Sequence, residues 1–249
     1  MGAANLADAS VRGIAAPPTP RQTPIVFVVD EDVSVRESLE LLIRSEGWQP
    51  EVFASAQKFP HHAKGLVPCC LVLDVSLPGL GGLELQRRVA LEKKYMPIIF
   101  IAANADVPTT VKAMKAGAVE FLTKPFKEAT LLEAIKEALE LSCRTLGREA
   151  ELQALRDRYA SLTRREQQVL ALVVSGLLNK QVGGELGISE VTVKAHRGQV
   201  MQKMKAESLA DLVKMGEKLS LSLVKGAHYT GSSSRFLPVA AATGWQMAS

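Results

Sequence analysis

The sequence predicts an α/β protein in two folded parts: a doubly wound, five-stranded parallel sheet, followed by a smaller all-α domain built around a helix-turn-helix. Three observations carry that expectation. Between residues 25 and 128, short runs rich in β-branched and aromatic residues alternate with helical patterns, as in repeated βαβ units. Two of those runs, LVLDVSLPG around Asp74 and EFLTKPF around Lys124, each end in one charged residue followed by a turn signal. Farther along, GLLNKQVGGELGISEVTVKAHRGQVMQKM places two helical patterns on either side of a glycine turn.

Residues 1–24 are rich in Ala and Pro without periodicity, and a disordered leader is expected there. The expected strands are IVFVV (25–29), EVFA (51–54), CLVLD (70–74), PIIFIA (97–102) and VEFLT (119–123). Mostly apolar and bounded by turn formers, they read as strands buried on both faces. The helices between them are clearest at SVRESLELLIRSEG and DVPTTVKAMKAGA. Pro60 lies inside the stretch expected for the second helix, SAQKFPHHAKG, so that element is expected short or broken, with His61 and His62 in an exposed loop. A domain of this length suits the 2-1-3-4-5 strand order of the flavodoxin-like fold. From Glu128 to about Tyr159, the spacing of Leu131, Leu132, Ile135, Leu139, Leu146, Leu152 and Leu155 is helical. Residues 129–159 therefore read as the last helix of the sheet domain running on as a linker, with Gly147 interrupting its register. Residues 160–220 are expected to hold four compact helices, and 221–249 a flexible tail.

Composition bounds the function. A chain of 249 residues can bury two modest cores. No apolar run reaches about 18 residues, and the N-terminus lacks a basic segment followed by an apolar one, so neither a membrane span nor a secretory signal is expected. A cytoplasmic protein is the expectation. Cys69, Cys70 and Cys143 show neither metal-ligand nor disulfide spacing; they read as small core residues, with Cys69 and Cys70 on opposite faces of a strand. The net charge of +4 is unevenly spread: residues 25–145 hold 14 Lys and Arg against 16 Asp and Glu, whereas 159–226 hold 10 against 6. The acidic excess falls with the strand-end carboxylates and the basic excess with the helix-turn-helix.

Asp30 and Glu31 follow the first strand and Asp74 ends the third. Their carboxylates are expected at one crevice beyond the strand ends, where open parallel sheets bind ligands. Such carboxylates repel one another unless a cation lies between them, and Mg²⁺ accepts oxygen ligands while keeping waters for a phosphoryl group. In that arrangement Asp74 is a nucleophile that forms an acyl phosphate, and Lys124 supplies positive charge. VFVVDEDVS also fits D-x-D-x-[ST], the nucleophile loop of haloacid-dehalogenase-type phosphatases, with Asp30 as nucleophile and Asp32 as acid/base. That alternative leaves Asp74 and Lys124 without a role.

In order and spacing these residues resemble the receiver domain of two-component response regulators, over about residues 24–140. The resemblance implies that Asp74 is the phosphoacceptor and that Asp30 and Glu31 are the acidic pair holding Mg²⁺, with the Ser76 carbonyl as a further ligand. It implies that Lys124 contacts the phosphate and joins Pro125 through a cis peptide, and it puts Phe121 at the switch aromatic position. One residue departs. Receivers carry Ser or Thr at the end of the fourth strand, where PIIFIAANAD has Ala102. The missing hydroxyl removes a charge-assisted hydrogen bond worth about 1.5–3 kcal/mol, similar in size to a typical allosteric coupling.

In the helical part, SLTRREQQVLALVVSG predicts a helix apolar at Val169, Leu170, Leu172 and Val173. Leu178, Val182 and Leu186 are expected on one face of the next, with Gly187 as the turn and Ser189 as N-cap of the third. Val191, Val193, Val200 and Met204 are expected inward, leaving Thr192, Lys194, His196, Arg197 and Lys203 on or near exposed faces. Gly183 and Gly184 each cost about 1 kcal/mol relative to Ala, which predicts a slightly unstable positioning helix. LTRREQQVL, ISEVTVKAHR and SLADLVKM resemble the four-helix LuxR-type domain over about residues 160–220. The resemblance implies a recognition helix for double-stranded DNA at about 190–204 and dimerisation through the last helix, 208–218. Lys194, Ala195 and Gly198 are expected near base edges, Thr192, Arg197 and Lys203 on phosphates, and His196 in the same contact surface, with the choice between Lys194 and Arg197 as base reader left open by the sequence. The two resemblances together imply a response regulator of the FixJ/NarL branch, a transcription factor phosphorylated by a sensor histidine kinase and active as a homodimer. The alternative within that class, suggested by Ala102, binds DNA independently of phosphorylation.

Overall fold

The computed structural model describes residues 23–59, 67–79, 81–92, 95–104 and 106–220. The expected leader up to residue 22, the loop at Pro60, His61 and His62, and the expected tail lie outside the described residues. The chain divides between Glu151 and Leu152 into two compact units.

In the first unit β1 (Ile25–Val29), β2 (Gln49–Phe53), β3 (Cys69–Asp74), β4 (Ile98–Ala102) and β5 (Glu120–Thr123) form one parallel sheet in the order β2-β1-β3-β4-β5. This is the expected order. β2 starts two residues early because Gln49 N donates to Pro24 O at 2.9 Å. It lies at the sheet edge, where a proline such as Pro50 is tolerated.

Alternation along the strands decides the layers. Ile25, Phe27, Val29, Cys69, Leu71, Leu73, Ile98 and Phe100 turn to one face. There they meet Leu85 and Val89 of α2 (Gly82–Glu92) and Ala113 of α3 (Val107–Lys115). Val26, Val28, Cys70, Val72, Ile99 and Ile101 turn to the other. That face is covered by Leu39 and Ile43 of α1 (Val33–Ser45) and by Leu131, Ile135 and Ala138 of α4 (Glu128–Ala160). Cys69 and Cys70 lie on opposite faces as expected. Cys143 does not join a core: it is exposed, one residue on from buried Ser142 and so about 100° round the helix. The Ser142 hydroxyl donates to Tyr95 O at 2.6 Å and accepts from Cys69 N at 3.0 Å, fastening α4 to the start of β3. After β2 the described residues make a 3₁₀ turn, Ala56–Lys58, and the rest of the expected second helix lies outside them. Gly147 does not interrupt α4, and an added Cβ there would meet nothing within 4 Å.

In the second unit α5 (Arg164–Val174), α6 (Asn179–Leu186), α7 (Glu190–Met204) and α8 (Leu209–Lys218) enclose Val169, Leu170, Val182, Val193, Val200, Met204 and Leu212. Caps set the helix starts. Thr163 and Glu166 form a capping box on α5, Ser189 accepts from Thr192 N at 3.1 Å, and Ser208 accepts from Asp211 N at 3.1 Å. Gly187 turns the chain at φ 65°.

Three details differ from expectation. Val191 is 76% exposed, because it lies two residues from buried Val193 and thus about 200° round α7. Leu178 is 71% exposed: it precedes the first turn of α6 in extended backbone and is not carried on the helical face. Gly183 is required rather than merely costly. A Cβ there would stand 2.7 Å from Ile188 O, whereas Gly184 faces open space. Among the described residues no helix is long and apolar enough to cross a membrane.

Candidate phosphoacceptor site and nucleic-acid interface

Asp30 follows β1 directly, with its N bonded to Phe53 O at 3.2 Å. Its buried carboxylate accepts from Asp32 N through Oδ1 at 2.9 Å and from Lys124 Nζ through Oδ2 at 2.6 Å. Asp74 closes β3; Oδ1 accepts from Ser76 N at 2.7 Å and Oδ2 from Lys124 Nζ at 2.6 Å. One ammonium therefore bridges carboxylates from two adjacent strands. Lys124 is held in turn by its N, bonded to Ala102 O at 2.8 Å, and its peptide bond to Pro125 is cis.

Burial pushes the Asp30 carboxyl above its ordinary value, although Lys124 opposes the shift. Burial pulls the Lys124 ammonium down, but its bonds to Asp30 and Asp74 outweigh that and hold it above its ordinary value. One positive charge facing two carboxylates leaves the pair of strand ends net negative. Glu31 is exposed, and among the described residues no three His, Cys, Asp or Glu side chains stand ready as a metal cage. The expected meeting of three carboxylates is thus a meeting of two, Asp30 and Asp74.

Arg36 escaped the sequence reading. From the first turns of α1, its Nη1 donates to Asp30 O at 2.7 Å and to Glu31 O at 2.8 Å, gripping the backbone of the acidic loop. An arginine six residues after the first acid, on the helix that leaves the loop, was the available signal. Asp32 caps α1: Oδ1 accepts from Ser34 N at 2.8 Å and Ser34 Oγ at 2.6 Å. Those bonds hold its carboxyl below the ordinary value. Asp32 thus serves the start of α1, and the phosphatase alternative still leaves Asp74 and Lys124 without a role.

Ala102 is fully buried at the end of β4 and brings no hydroxyl to the strand ends that carry Asp74 and Lys124. Phe121 is half-buried on β5, its ring centroid 6.0 Å from that of Phe100 with planes at 31°. It packs against the core on the α2/α3 face of the sheet.

On α7, Lys194, Ala195 and Gly198 are exposed along one face, with Lys194 Nζ 3.1 Å from Glu190 Oε1. Thr192 Oγ1 lies 2.8 Å from Ser189 Oγ at the helix start. His196 and Arg197 are half-buried, and Arg197 Nη1 donates to Asn179 Oδ1 at 3.2 Å, joining α7 to α6. Lys203, expected on a DNA phosphate, is paired within the free protein. Its Nζ contacts Glu166 Oε2 at 2.7 Å and Oε1 at 3.0 Å, tying the end of α7 to the start of α5. Its periodic position alone could not reveal that partner.

Two family models match the chain: the response regulator receiver domain at residues 26–136 and the luxR family of bacterial regulatory proteins at 160–216. Nodulation protein W of Bradyrhizobium diazoefficiens is 48% identical over 198 residues, which cover 80% of this chain and 87% of that protein. The transcriptional regulatory protein FixJ of the same species is 38% identical over 79% of this chain and 96% of its own length. The solved structure of response regulator StyR is similar with a TM-score of 0.69 and 52% identity, covering 79% of this chain and 100% of that one. A sheet ordered 2-1-3-4-5 with strand-end Asp30, Asp74 and Lys124, a helix-turn-helix after it, and relatives matched through both parts have one reading: the chain belongs to the FixJ/NarL family of two-component response regulators, as a receiver domain joined to a LuxR-type DNA-binding domain.

Proposed function

We propose that Asp74 accepts a phosphoryl group from a phosphohistidine of a sensor kinase, and that this modification controls dimerisation and the binding of α7 to promoter DNA. The observation that carries the first step is the Lys124 ammonium 2.6 Å from both Asp30 Oδ2 and Asp74 Oδ2. The Asp74 carboxylate attacks phosphorus, the P–N bond breaks, and its electron pair stays on the imidazole, which takes up a proton. Phosphorylation replaces one negative charge on Asp74 with about two. Lys124 is then drawn toward the phosphoryl oxygens and its hold on Asp30 weakens.

Asp30, Glu31, Asp74 and the Ser76 carbonyl offer oxygen donors alone. Two close carboxylates suffice for Mg²⁺, which keeps waters and shares phosphate oxygens with the substrate. Bound there, it would neutralise charge on the phosphoryl group.

With Ala102 at the end of β4, no hydroxyl–phosphate bond relays the change. Lys124 is the remaining link, because it touches the acceptor through its side chain and β4 through its backbone. Relatives named as response and transcriptional regulators give no support to phosphorylation-independent binding over this reading. In this account the protein is cytoplasmic, with a receiver core at residues 25–128, its last helix and linker at 129–159, and the DNA-binding domain at 160–220. The division between Glu151 and Leu152 falls inside that linker.

Intact-mass measurement after incubation with acetyl phosphate and Mg²⁺ tests the first step. Wild type gains one phosphoryl group and Asp74→Asn gains none; equal gain in both would place the acceptor elsewhere.

A further inference from the structure

We propose that Val191 reads a thymine in the major groove through the 5-methyl group of the base. Val191 is the second residue of α7 and is 76% exposed. With Lys194, Ala195 and Gly198 it falls at i, i+3, i+4 and i+7, a single stripe along one face of the helix. The opposite face is fixed by buried Val193, Val200 and Met204, and the start of the helix by the Ser189 cap. Val191 cannot turn inward without rotating α7 by about half a turn.

A single exposed valine needs no explanation in general. This one stands at the N-terminal end of a recognition helix, where side chains reach base edges. Its stripe is poor in groups that read bases by hydrogen bonds. Ala195 carries a methyl, Gly198 nothing, and Lys194 lies 3.1 Å from Glu190. An added Cβ at Gly198 would meet nothing within 4 Å, so the stripe ends in open space that a large partner can approach closely. The apolar feature that distinguishes one base from the others in the major groove is the thymine methyl, and small apolar side chains recognise it. The inference rests on the reading that α7 enters the major groove.

The test selects a preferred duplex from random DNA with the full chain, in Mg²⁺ and beryllofluoride, and then replaces each thymine singly by deoxyuridine, which lacks only the methyl. Wild type is expected to lose about fivefold in affinity at one thymine per half-site, the worth of one methyl removed from water. Val191→Ala, with an unchanged melting temperature, loses that factor at both half-sites of a dimer, about 25-fold in all, and does not respond to deoxyuridine at that position. If Lys194→Ala weakens binding but no deoxyuridine position separates wild type from Val191→Ala, the assignment to Val191 is overturned. If no sequence is selected, or Lys194→Ala binds as wild type does, the placement of α7 in the groove fails and the assignment fails with it.

Discussion

Asp30, Asp74 and Lys124 could be found in the sequence because each is a charged residue at the end of an apolar run, with one place to go when such runs pair in parallel. Arg36 could not be found so easily. Its partners are the carbonyls of Asp30 and Glu31, and main-chain groups look alike in every sequence. The two bonds fix the loop that carries Asp30 and Glu31, the proposed Mg²⁺ ligands, so Arg36 acts on the site through its backbone. Replacing a residue that positions metal ligands usually weakens binding by about 10–100-fold. Arg36→Ala is expected to lower Mg²⁺ affinity about tenfold by titration calorimetry, with Arg36→Lys recovering part of the loss. Unchanged affinity would mean that the loop holds its own shape. At Val191 the pattern itself contained the answer: two valines separated by one residue cannot both face the core from one helix. Only packing decides which of them goes in.

At the scale of elements, the strands were readable from their alternation with helical patterns, and their order from the length of the domain. The α6–α7 pair shows what propensity alone misses. Gly183 and Gly184 are equal in any propensity scale, yet Ile188 O crowds the first and open space faces the second. Gly184→Ala is expected to stabilise the DNA-binding domain by about 1 kcal/mol. Gly183→Ala is expected to destabilise it by about 1–3 kcal/mol, as overpacking does. Thermal unfolding of the two variants separates these outcomes, and equal shifts would contradict the close approach at Ile188.

Glu166 and Lys203 join α5 to α7 in the same way that Lys124 joins two strands. The hydrogen bond from Lys203 holds the Glu166 carboxyl below its ordinary 4.5. A depressed carboxyl contributes stability that is fully present above that ordinary value and lost as pH falls through the folded one. Lys203→Met is therefore expected to speed hydrogen exchange in α5 and α7 near neutral pH, with the difference from wild type shrinking below about pH 4.5. A difference that persists in acid would show that Lys203 matters through its aliphatic stem instead.

For the whole molecule, the separation of charge anticipated the two roles: acidic excess with the receiver and basic excess with the DNA-binding unit. Sequence alone could not say how a receiver with Ala102 passes on its signal, since that depends on which contacts replace the absent hydroxyl. In the proposed mechanism Lys124 takes that part, bonded at once to Asp74 and to the end of β4. Modification of Asp74 is then expected to raise DNA affinity without any hydroxyl at position 102. The most direct test is the affinity of the full chain for its selected duplex, with and without beryllofluoride and Mg²⁺, in wild type and Asp74→Asn. Wild type is expected to tighten at least about tenfold, within the usual range of allosteric coupling, and Asp74→Asn not at all. Equal affinity of wild type in both conditions, with the mimic shown to be bound, would contradict the account.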